Sequence, residues 1–493
     1  MADSTAWHIF KNLALLCLSL IFLPFSTVII LAIFVRNELF PFQRHSEAPA
    51  PGAKTILVTG VSMSKGLAIA RSLHAQGHRV IGADVSFLSV GRVSRAVDKF
   101  YTLPRPHASS SRGPDEEDPY VLRLVDIVLR EKVKLWISAS DVETEIQDGI
   151  AKDIVESQTE ARAIQLGEKD VSMLHGKQTF IEYVQSLGLP VPDTRLISNK
   201  SDLLGFLSQR GGWSLQPGGT QYLLKPIGVD DLTRFNMPIL PLLDGRESMA
   251  LINSIPFTRK PSFIVQELIP GAEFCTHALV IRGSVRAFVA CPSLDLLMHY
   301  TALAPESPLS QKMLRFTQEV AAFRGDEWTG HVSFDFRVKM ESHGSLSEED
   351  AEIYPIECNP RVHTAIMLFS NTPEIVNEYL LALTPGDLAQ QKPLYPRLPD
   401  HYYWIGQDFV EYVIYPICKT LLLRKMKMSK LIKSINSFVH RVQYWKDGTF
   451  DMRDPWPWWW LYHVYWPWQF VQYLFRGRWH KLNVSTGKAF KAR

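Results

Sequence analysis

The chain has 493 residues, enough for two to four packed units, and its hydrophobic content of 46% excludes a mainly disordered protein. Its formal net charge of +3 is too small to imply a nucleic-acid partner, and it carries neither zinc-finger spacing nor an aromatic RNA-binding signature. We therefore expect no nucleic-acid partner. The five cysteines are scattered and never spaced Cys-x-x-Cys, which is typical of a reducing compartment.

An uncharged apolar segment lies near the N-terminus. Residues 12–35 contain no charge and are long enough to cross a bilayer as one helix, with the membrane segment predicted at about 13–35. The run is too long for the apolar part of a cleaved signal peptide. Pro24 leaves a kinked or re-entrant arrangement open. We expect residues 1–53 to form this membrane segment and a Pro- and Ala-rich linker.

Residues 54–165 read as a small α/β domain of Rossmann type. Buried strands are predicted over 54–60, 78–83 and 134–138, with helices over 64–76 and 119–131. The turn from Gly60 to Gly66, with Asp84 further on, lacks the Gly-x-Gly-x-x-Gly spacing of a dinucleotide site. We therefore expect a scaffold here, and an NAD-dependent oxidoreductase is the least favoured function.

Two lysines stand where phosphate-binding groups are often found. Lys177 begins a predicted helix that ends near Gly188, and Lys225 ends the apolar strand Tyr222-Leu-Leu-Lys-Pro. Each lysine alone could equally be a solvated surface charge.

Further along, the segment Phe263-Ile-Val-Gln-Glu-Leu-Ile-Pro-Gly-Ala-Glu-Phe is an apolar strand that breaks at Pro-Gly and is followed by the acid Glu273. A backbone kink at this position would present an N–H and a C=O to the edge of an adenine base.

Three oxygen-bearing side chains lie on two apolar strands near the end of this region. Because side chains alternate along a strand, Glu357 and Asn359 point the same way while Cys358 points into the core, and Asp335 on a neighbouring strand completes the set. Two carboxylates and an amide oxygen suit Mg²⁺ better than Zn²⁺. The alternative is two ordinary strands of a hairpin, in which such acids would be costly to bury unpaired.

The ordered set formed by these lysines, the kinked strand and the acids resembles the ATP-grasp superfamily of carboxylate–amine ligases, over about residues 54–385. The resemblance implies that Lys177 and Lys225 bind ATP phosphates and that two Mg²⁺ ions are held by Asp335, Glu357 and Asn359. It places the adenine hinge at Glu267 and Leu268, beside Gln266, and the ribose at Glu273. Arg361 would face the transferred phosphoryl group or the substrate, and Arg286 is a second candidate for the same role.

The fold class implied is therefore α/β: an ATP-grasp fold preceded by the Rossmann-like domain. Its small domain and hinge would occupy 166–270, and its Mg²⁺-binding catalytic domain 271–400. One departure is the loop after Lys225, which holds one glycine where many members have a glycine-rich loop. The Thr233 hydroxyl or Arg234 would have to substitute there.

Three strings resemble the mycosporine–glycine synthase family more closely: Asp98-Lys-Phe-Tyr-Thr-Leu-Pro, Gln266-Glu-Leu-Ile-Pro-Gly-Ala-Glu-Phe-Cys-Thr-His and Ile356-Glu-Cys-Asn-Pro-Arg-Val-His-Thr-Ala-Ile. That resemblance implies ATP-dependent condensation of an amino acid, glycine, with the cyclohexenone 4-deoxygadusol, with other enzymes of the pathway as partners. His277 and His363 would touch the substrates, or are hydrogen-bonded core histidines. The alternatives are an amino-acid or peptide ligase with another acceptor, and a non-catalytic membrane scaffold.

The C-terminal region, residues 401–493, is aromatic and basic. Nine of the thirteen tryptophans lie between Trp404 and Trp479, and no acid occurs between Tyr412 and Lys446. Tryptophan and basic residues beside apolar ones suit an anionic membrane surface, whereas the alternative is a helical appendage that packs on the catalytic domain. We expect a membrane-anchored protein whose catalytic domain faces the cytosol, where ATP is available.

Overall fold

The computed structural model describes residues 5–40, 52–106, 118–227, 237–257, 263–293, 298–339, 348–386, 388, 391–397, 400–476, 482–483 and 488–489. Thr233 and Arg234, the expected substitutes for a glycine-rich loop, lie outside the described residues.

A parallel sheet with helices on both faces forms the N-terminal unit. Its strands lie in the order β3-β2-β1-β4-β5, and their buried Val, Ile and Leu residues are typical of a sheet covered on both sides. The strands are β1 Thr55–Thr59, β2 Arg79–Asp84, β3 Lys99–Thr102, β4 Leu135–Ser138 and β5 Arg162–Ile164, and the helices are α2 Ser64–Ala75, α3 Pro119–Arg130 and α4 Glu145–Gln158. The elements predicted in this region are confirmed to within one residue at each end.

Asp84, at the end of β2, stabilises the turn that follows β1. Its carboxylate accepts the backbone N–H groups of Ser62 at 2.8 Å and Ser86 at 2.9 Å, one on each oxygen. The structure therefore gives Asp84 a local structural role.

A small antiparallel sheet follows, in the order β6-β9-β7-β8. Its apolar residues, such as Leu224 and Val265, pack against Phe206 and Ile252 of two covering helices. The strands are β6 Thr194–Ile197, β7 Tyr222–Pro226, β8 Ile239–Leu240 and β9 Phe263–Glu267, and the helices of this region are α5 Glu168–His175, α6 Lys177–Ser186, α7 Lys200–Ser208 and α8 Gly245–Ser254.

A larger antiparallel sheet, ordered β11-β10-β13-β14, carries the acids. One face is apolar and packs on α6 and on α9 through residues such as Phe334 and Phe316, while the opposite face looks toward α2 and the 3-10 turn Thr364–Phe369. Its elements are β10 Ala272–Ile281, β11 Ser284–Pro292, α9 Pro308–Arg324, β13 Gly330–Lys339 and β14 Glu352–Asn359. The predicted α/β fold class, with a Rossmann-like parallel sheet ahead of two antiparallel sheets, is confirmed.

The C-terminal region packs on this body. Trp404 is fully buried and its Nε1–H donates to Ser64 of α2 at 3.0 Å, and Asp454 receives Arg71 at 2.9 Å. A three-stranded sheet joins the region to the body, and its strands are β12 Tyr300–Thr301, β15 His401–Tyr403 and β16 Lys446–Asp447; α10 Ile375–Leu380 precedes the region. The helices of the region are α11 Ile405–Phe409, α12 Tyr415–Ile417, α13 Met428–Tyr444, α14 Trp456–Trp460 and α15 Trp466–Arg476, with π-helical turns at Val410–Ile414, Cys418–Leu422 and Leu461–Tyr465. The strands β17 Leu482–Asn483 and β18 Lys488–Ala489 form a short hairpin.

The N-terminal apolar segment is a single helix, α1 Thr5–Leu39, which continues through Pro24 without a hairpin. In the described residues it is the one helix long and apolar enough, over Asn12–Leu39, to cross a membrane by length and composition. The re-entrant alternative left open by Pro24 is thus not what the structure shows.

Candidate functional site

The two acid-bearing strands lie side by side. In the register of β13 and β14, Asp335 lies opposite Glu357 and Ser333 opposite Asn359. Since paired residues of antiparallel strands point to the same face, the carboxylates and the amide share one face, while Cys358 is 2% exposed on the other. The arrangement expected from strand alternation is confirmed.

Charge repulsion and burial act on the acid pair. Burial, with the neighbouring carboxylates of Glu357 and Glu273, raises the pKa of Asp335 to about 8. Carboxylates that raise one another's pKa in this way gain most from a divalent cation, whose charge relieves the repulsion. No three His, Cys, Asp or Glu side chains converge as a preformed metal site in the described ranges, so two carboxylates and one amide are the donor set on offer.

Asn359 connects this donor set to a cation. Its Nδ2 donates to Asp335 at 3.2 Å, and its Oδ1 accepts from Arg361 at 2.6 Å. An amide oxygen has two lone pairs, so Mg²⁺ held here would share Oδ1 with Arg361.

The two lysines belong to different elements, since Lys225 lies on β7 of the small sheet and Lys177 begins α6, which packs on the large sheet. Lys225 is 7% exposed, and burial lowers its pKa to about 8 while Glu357 opposes the shift and Lys177 adds to it. The charges of Lys177, Lys225 and Glu357 are therefore close enough to influence each other. Two cations therefore lie near the carboxylates, as a polyphosphate–metal complex requires.

The expected adenine hinge is only partly available. Gln266 is 2% exposed and lies against Lys225, with Lys225 Nζ donating to its Oε1 at 2.5 Å, so it orients that lysine. The backbone N–H groups of Glu267 and Leu268 donate to Asp193 O and Gln221 O, both at 2.8 Å. A base could use those two amides only by breaking existing bonds.

Glu273, the expected ribose ligand, lies at the start of β10 and is partly exposed. Arg337 contacts its carboxylate at 3.3 Å, and the Ser293 hydroxyl donates to it at 3.3 Å. It lies on the acid-bearing face, because Glu273 is opposite Arg337 on β13 in the strand register.

The two arginines differ in position. Arg361 lies beside the acids, and Glu145 at the start of α4 fixes it with a 2.5 Å ion pair. In the sheet, Cys291 of β11 lies level with Asp335, because both are paired with Cys275 of β10 in the strand register. Arg286 is five residues, roughly 17 Å, from Cys291 along β11, and its guanidinium forms an ion pair with Glu378 at 2.8 Å. The structure does not bring Arg286 to the acids, because its strand register carries it toward α10, so it is left out of the site.

The two expected substrate histidines are neighbours: His277 lies on the sheet face that carries the acids, and His363 lies in the segment after β14, beside it. His277 Nδ1 accepts the backbone N–H of His363 at 3.3 Å, and His363 Nδ1 accepts that of Ala365 at 3.2 Å. Burial, with Lys65 nearby, lowers the pKa of His363 to about 3 and that of His277 well below its ordinary value. Both rings are therefore neutral at physiological pH.

Sequence reasoning missed three neighbours of the site: Glu145, Lys65 and His331. Glu145 follows β4 in an acidic run at the carboxyl end of a parallel strand, which is a signal for a binding residue. His331, Ser333 and Asp335 alternate on one strand, so the period-2 rule that found the acids also points to His331. For Lys65, a lysine in the first turn of α2, no sequence signal distinguishes it from a surface charge.

No protein-family model and no curated protein matches the chain. Among solved structures it is similar to N5-carboxyaminoimidazole synthetase from Staphylococcus aureus complexed with ADP, at 14% identity over 71% of this chain and 80% of that one, with a TM-score of 0.47. It is also similar to a biotin carboxylase β-γ-ATP complex from Campylobacter jejuni (13% identity, 68% and 72% covered, TM-score 0.47) and to L-amino acid ligase from Bacillus licheniformis (13%, 68% and 75%, 0.44). These likenesses are distant, so the function is argued from the site itself.

Proposed function

We propose that the chain is an ATP-dependent C–N ligase of the ATP-grasp type, which uses ATP and Mg²⁺ and releases ADP and phosphate. The observation that carries this proposal is the convergence of two charge sets: Lys225 of the small sheet interacts with Lys177 at the start of α6 and with Glu357 of the large sheet, which shares its face with Asp335 and Asn359. Both sets are arranged for one polyanion and its metal.

Each group has a distinct task in this proposal. Lys177 and Lys225 bind the ATP phosphates, with Gln266 holding Lys225 in place. Asp335, Glu357 and Asn359 would hold Mg²⁺, which neutralises phosphate charge as the phosphoryl group is transferred. Arg361, anchored by Glu145 and Asn359, orients the group that receives the phosphoryl.

For the substrates, we propose glycine as the amine and 4-deoxygadusol as the acceptor, so that the product is mycosporine–glycine. The sequence resemblance in the three strings given above supports this choice. An enol oxygen is a poor leaving group. Phosphorylation of that oxygen by ATP converts it to a phosphate ester, and the amine then adds to the carbon, so that the C–O bond breaks and phosphate leaves.

The test is phosphate release by the detergent-solubilised protein with Mg-ATP, across 4-deoxygadusol and simple carboxylates, each with and without glycine. Release that needs both 4-deoxygadusol and glycine supports the substrates proposed. Release with another pair keeps the ligase and changes its acceptor, whereas no release with any pair would favour a non-catalytic scaffold.

We also propose that the protein is attached to a membrane, with its catalytic units in the cytosol and enzymes of the same pathway as partners. The supporting observation is the exposed apolar surface of α1, which includes Leu20, Phe25 and Val28 at 64–68% exposure. The units proposed are a membrane segment and linker (1–53), a Rossmann-like domain (54–165), a small domain and hinge (166–270), a catalytic domain (271–400) and a membrane-associated region (401–493).

A further inference from the structure

We infer that His277, Ser333 and His331 bind the oxygen atoms of the acceptor substrate, a conclusion that rests on the proposed ligase function. The three lie on one sheet face with the acids. Cys275 is opposite Asp335 and Leu279 is opposite His331, so the odd-numbered residues of β10 and β13 share that face.

These side chains contain buried polar atoms that the described residues leave without a hydrogen-bond partner. They are His277 Nε2, Ser333 Oγ and a ring nitrogen of His331, a residue that also interacts with the backbone of Ala278, on side chains that are at most 2% exposed. The imidazole rings of His277 and His331 stack, with their centroids 4.9 Å apart. Buried polar atoms are nearly always satisfied, and leaving one unpaired costs about 1–3 kcal/mol. A contiguous group of them beside an active site therefore calls for a ligand.

The tautomer of His277 fixes what kind of atom that ligand must offer. Because Nδ1 accepts the His363 N–H, the neutral ring carries its proton on Nε2. The unpartnered Nε2 is thus a hydrogen-bond donor, and it requires an acceptor such as a carbonyl, enolate or hydroxyl oxygen. A protonated amine, which only donates, would meet a donor here.

Two further features agree with an oxygen-bearing ligand. Lys65, which is 1% exposed, donates to Ser140 O at 3.0 Å and Val362 O at 2.9 Å, and it places a positive charge near the histidines. Cys275 of β10 lies opposite Asp335, and His277 is two residues, about 7 Å, further along the same strand. A small oxygen-substituted ring or acyl group can reach from the acids to His277 across that distance.

The test compares steady-state kinetics with 4-deoxygadusol and glycine as the probes. Ser333→Ala removes one unpartnered oxygen, so we expect the KM for 4-deoxygadusol to rise about tenfold, the KM for ATP to stay unchanged, and the unfolding temperature not to fall. His277→Met should raise the same KM by more than tenfold, whereas His277→Gln, which keeps an N–H donor near the Nε2 position, should retain most of the binding. Binding is also measured without turnover, as the shift in unfolding temperature that 4-deoxygadusol produces in the presence of Mg-ADP. Ser333→Ala and His277→Met should lose this shift.

If Ser333→Ala and His277→Met leave the acceptor KM within twofold of the wild type, the unpartnered atoms bind ordered water only and the inference is wrong. If the wild type itself shows no acceptor-dependent turnover, the proposed function fails, and this inference fails with it. The two failures are therefore distinguishable.

A second inference rests on different residues: we infer that α1 lies along the membrane surface and does not cross the bilayer. Its contacts with the body extend over most of its length. Ser19 donates to Tyr462 O at 2.8 Å, Thr27 receives Trp459 Nε1–H at 3.0 Å, and Asn37 donates to Met452 O at 2.9 Å. From Ser19 to Asn37 the helix rises about 27 Å, close to the thickness of the hydrocarbon core.

A spanning α1 would therefore carry the attached body into the bilayer, including Arg95, whose guanidinium lies 5.8 Å from the centre of the Phe34 ring. A row of three aromatic rings connects α1 to α13. The ring centre of Phe409 lies 5.4 Å from that of Phe22 on α1 and 5.7 Å from that of Phe438 on α13.

On α13 the exposed residues Met428, Ile432, Val439 and Val442 follow helical spacing and form an apolar stripe, while Lys430 and Lys433 lie on the opposite side of the helix. An exposed apolar stripe with basic residues on the other side is typical of a helix that lies in the surface of an anionic membrane.

Topology is tested by labelling single cysteines with a membrane-impermeant maleimide in sealed vesicles from expressing cells, in a background with Cys17→Ser and Cys418→Ser. Ser4→Cys and Ser46→Cys probe the two ends of α1, and Ser254→Cys marks the catalytic side. We expect all three to be labelled from the same side. Labelling of the two α1 ends from opposite sides would show a spanning helix, and recovery of the protein in the soluble fraction would overturn membrane attachment altogether.

Discussion

At the scale of single residues, the site combines groups whose charges are costly without a ligand. Burial works against the charge of Lys225 and against that of Asp335, so the pKa of each moves toward 8 from opposite directions. A Mg²⁺–polyphosphate complex reverses both effects at once, because phosphate stabilises the ammonium and the cation stabilises the carboxylates.

The lysine pKa leads to a prediction about pH. Lys225 is charged below about pH 8 and neutral above it, so its contribution to Mg-ATP affinity should be lost as the pH rises from 8 to 9, while Asp335 becomes charged near the same pH and favours Mg²⁺ binding. Lys225→Arg keeps its charge throughout this range, so its affinity should exceed that of the wild type increasingly above pH 8, and the difference between the two pH profiles isolates the contribution of the lysine. Isothermal titration of Mg-ATP at several pH values measures this. Equal pH dependence in the two proteins would show that Lys225 does not contact the nucleotide.

The carboxylates lead to a second prediction. Glu357→Gln should lower turnover about a hundredfold or more, because metal-assisted charge neutralisation is worth several kcal/mol and each 1.4 kcal/mol is tenfold in rate. Glu352→Gln on the same strand, an exposed residue that pairs with Lys339, is the matched control and should leave turnover unchanged. Near-normal turnover of Glu357→Gln would remove Glu357 from the metal site.

At the scale of elements, the start of β10 depends on Gly271. Its φ is +142°, and a Cβ there would meet the carbonyl oxygen of Val338 at 1.9 Å. Glycine is therefore required where β10 passes β13, and this close approach sets the register that places Glu273 and the acids together.

Replacement of this glycine gives a third prediction. Gly271→Ala should lower the free energy of unfolding by about 1–3 kcal/mol or more, through backbone strain and the clash. Gly205→Ala, within α7 and with no atom within 4 Å of the added Cβ, is the control and should stabilise by about 0.5–1 kcal/mol. Urea denaturation measures both, and equal effects of the two substitutions would contradict the account of Gly271.

Elements and individual residues differ in how far sequence predicts them. The strands around Asp335 and Glu357 follow from alternation, because apolar neighbours and a two-residue period are local signals. The position of Arg286 was not predictable in the same way, since it depends on how far along β11 the residue lies from the acids. The backbone N–H groups of Glu267 and Leu268 donate hydrogen bonds to the carbonyl oxygens of Asp193 and Gln221, which are distant in sequence, so these bonds were not predictable from local pattern.

At the scale of the whole molecule, contacts between remote segments complete the site. The ion pair of Arg361 with Glu145 joins residues separated by 216 positions and connects the Rossmann-like unit to the end of the large antiparallel sheet. The C-terminal region likewise packs Trp404 on α2 while α13 exposes apolar residues. Composition suggested two alternatives for this region, packing on the body or association with a membrane; the structure shows the packing, and membrane association remains a proposal.

Isotope transfer shows whether the proposed ligase works through a phosphorylated acceptor. The acceptor is labelled with ¹⁸O at the oxygen to be replaced and incubated with Mg-ATP and glycine, and the phosphate released is analysed by mass spectrometry. We expect one ¹⁸O atom in each phosphate, because the acceptor oxygen leaves with the transferred phosphoryl group. Product formation with unlabelled phosphate would contradict it.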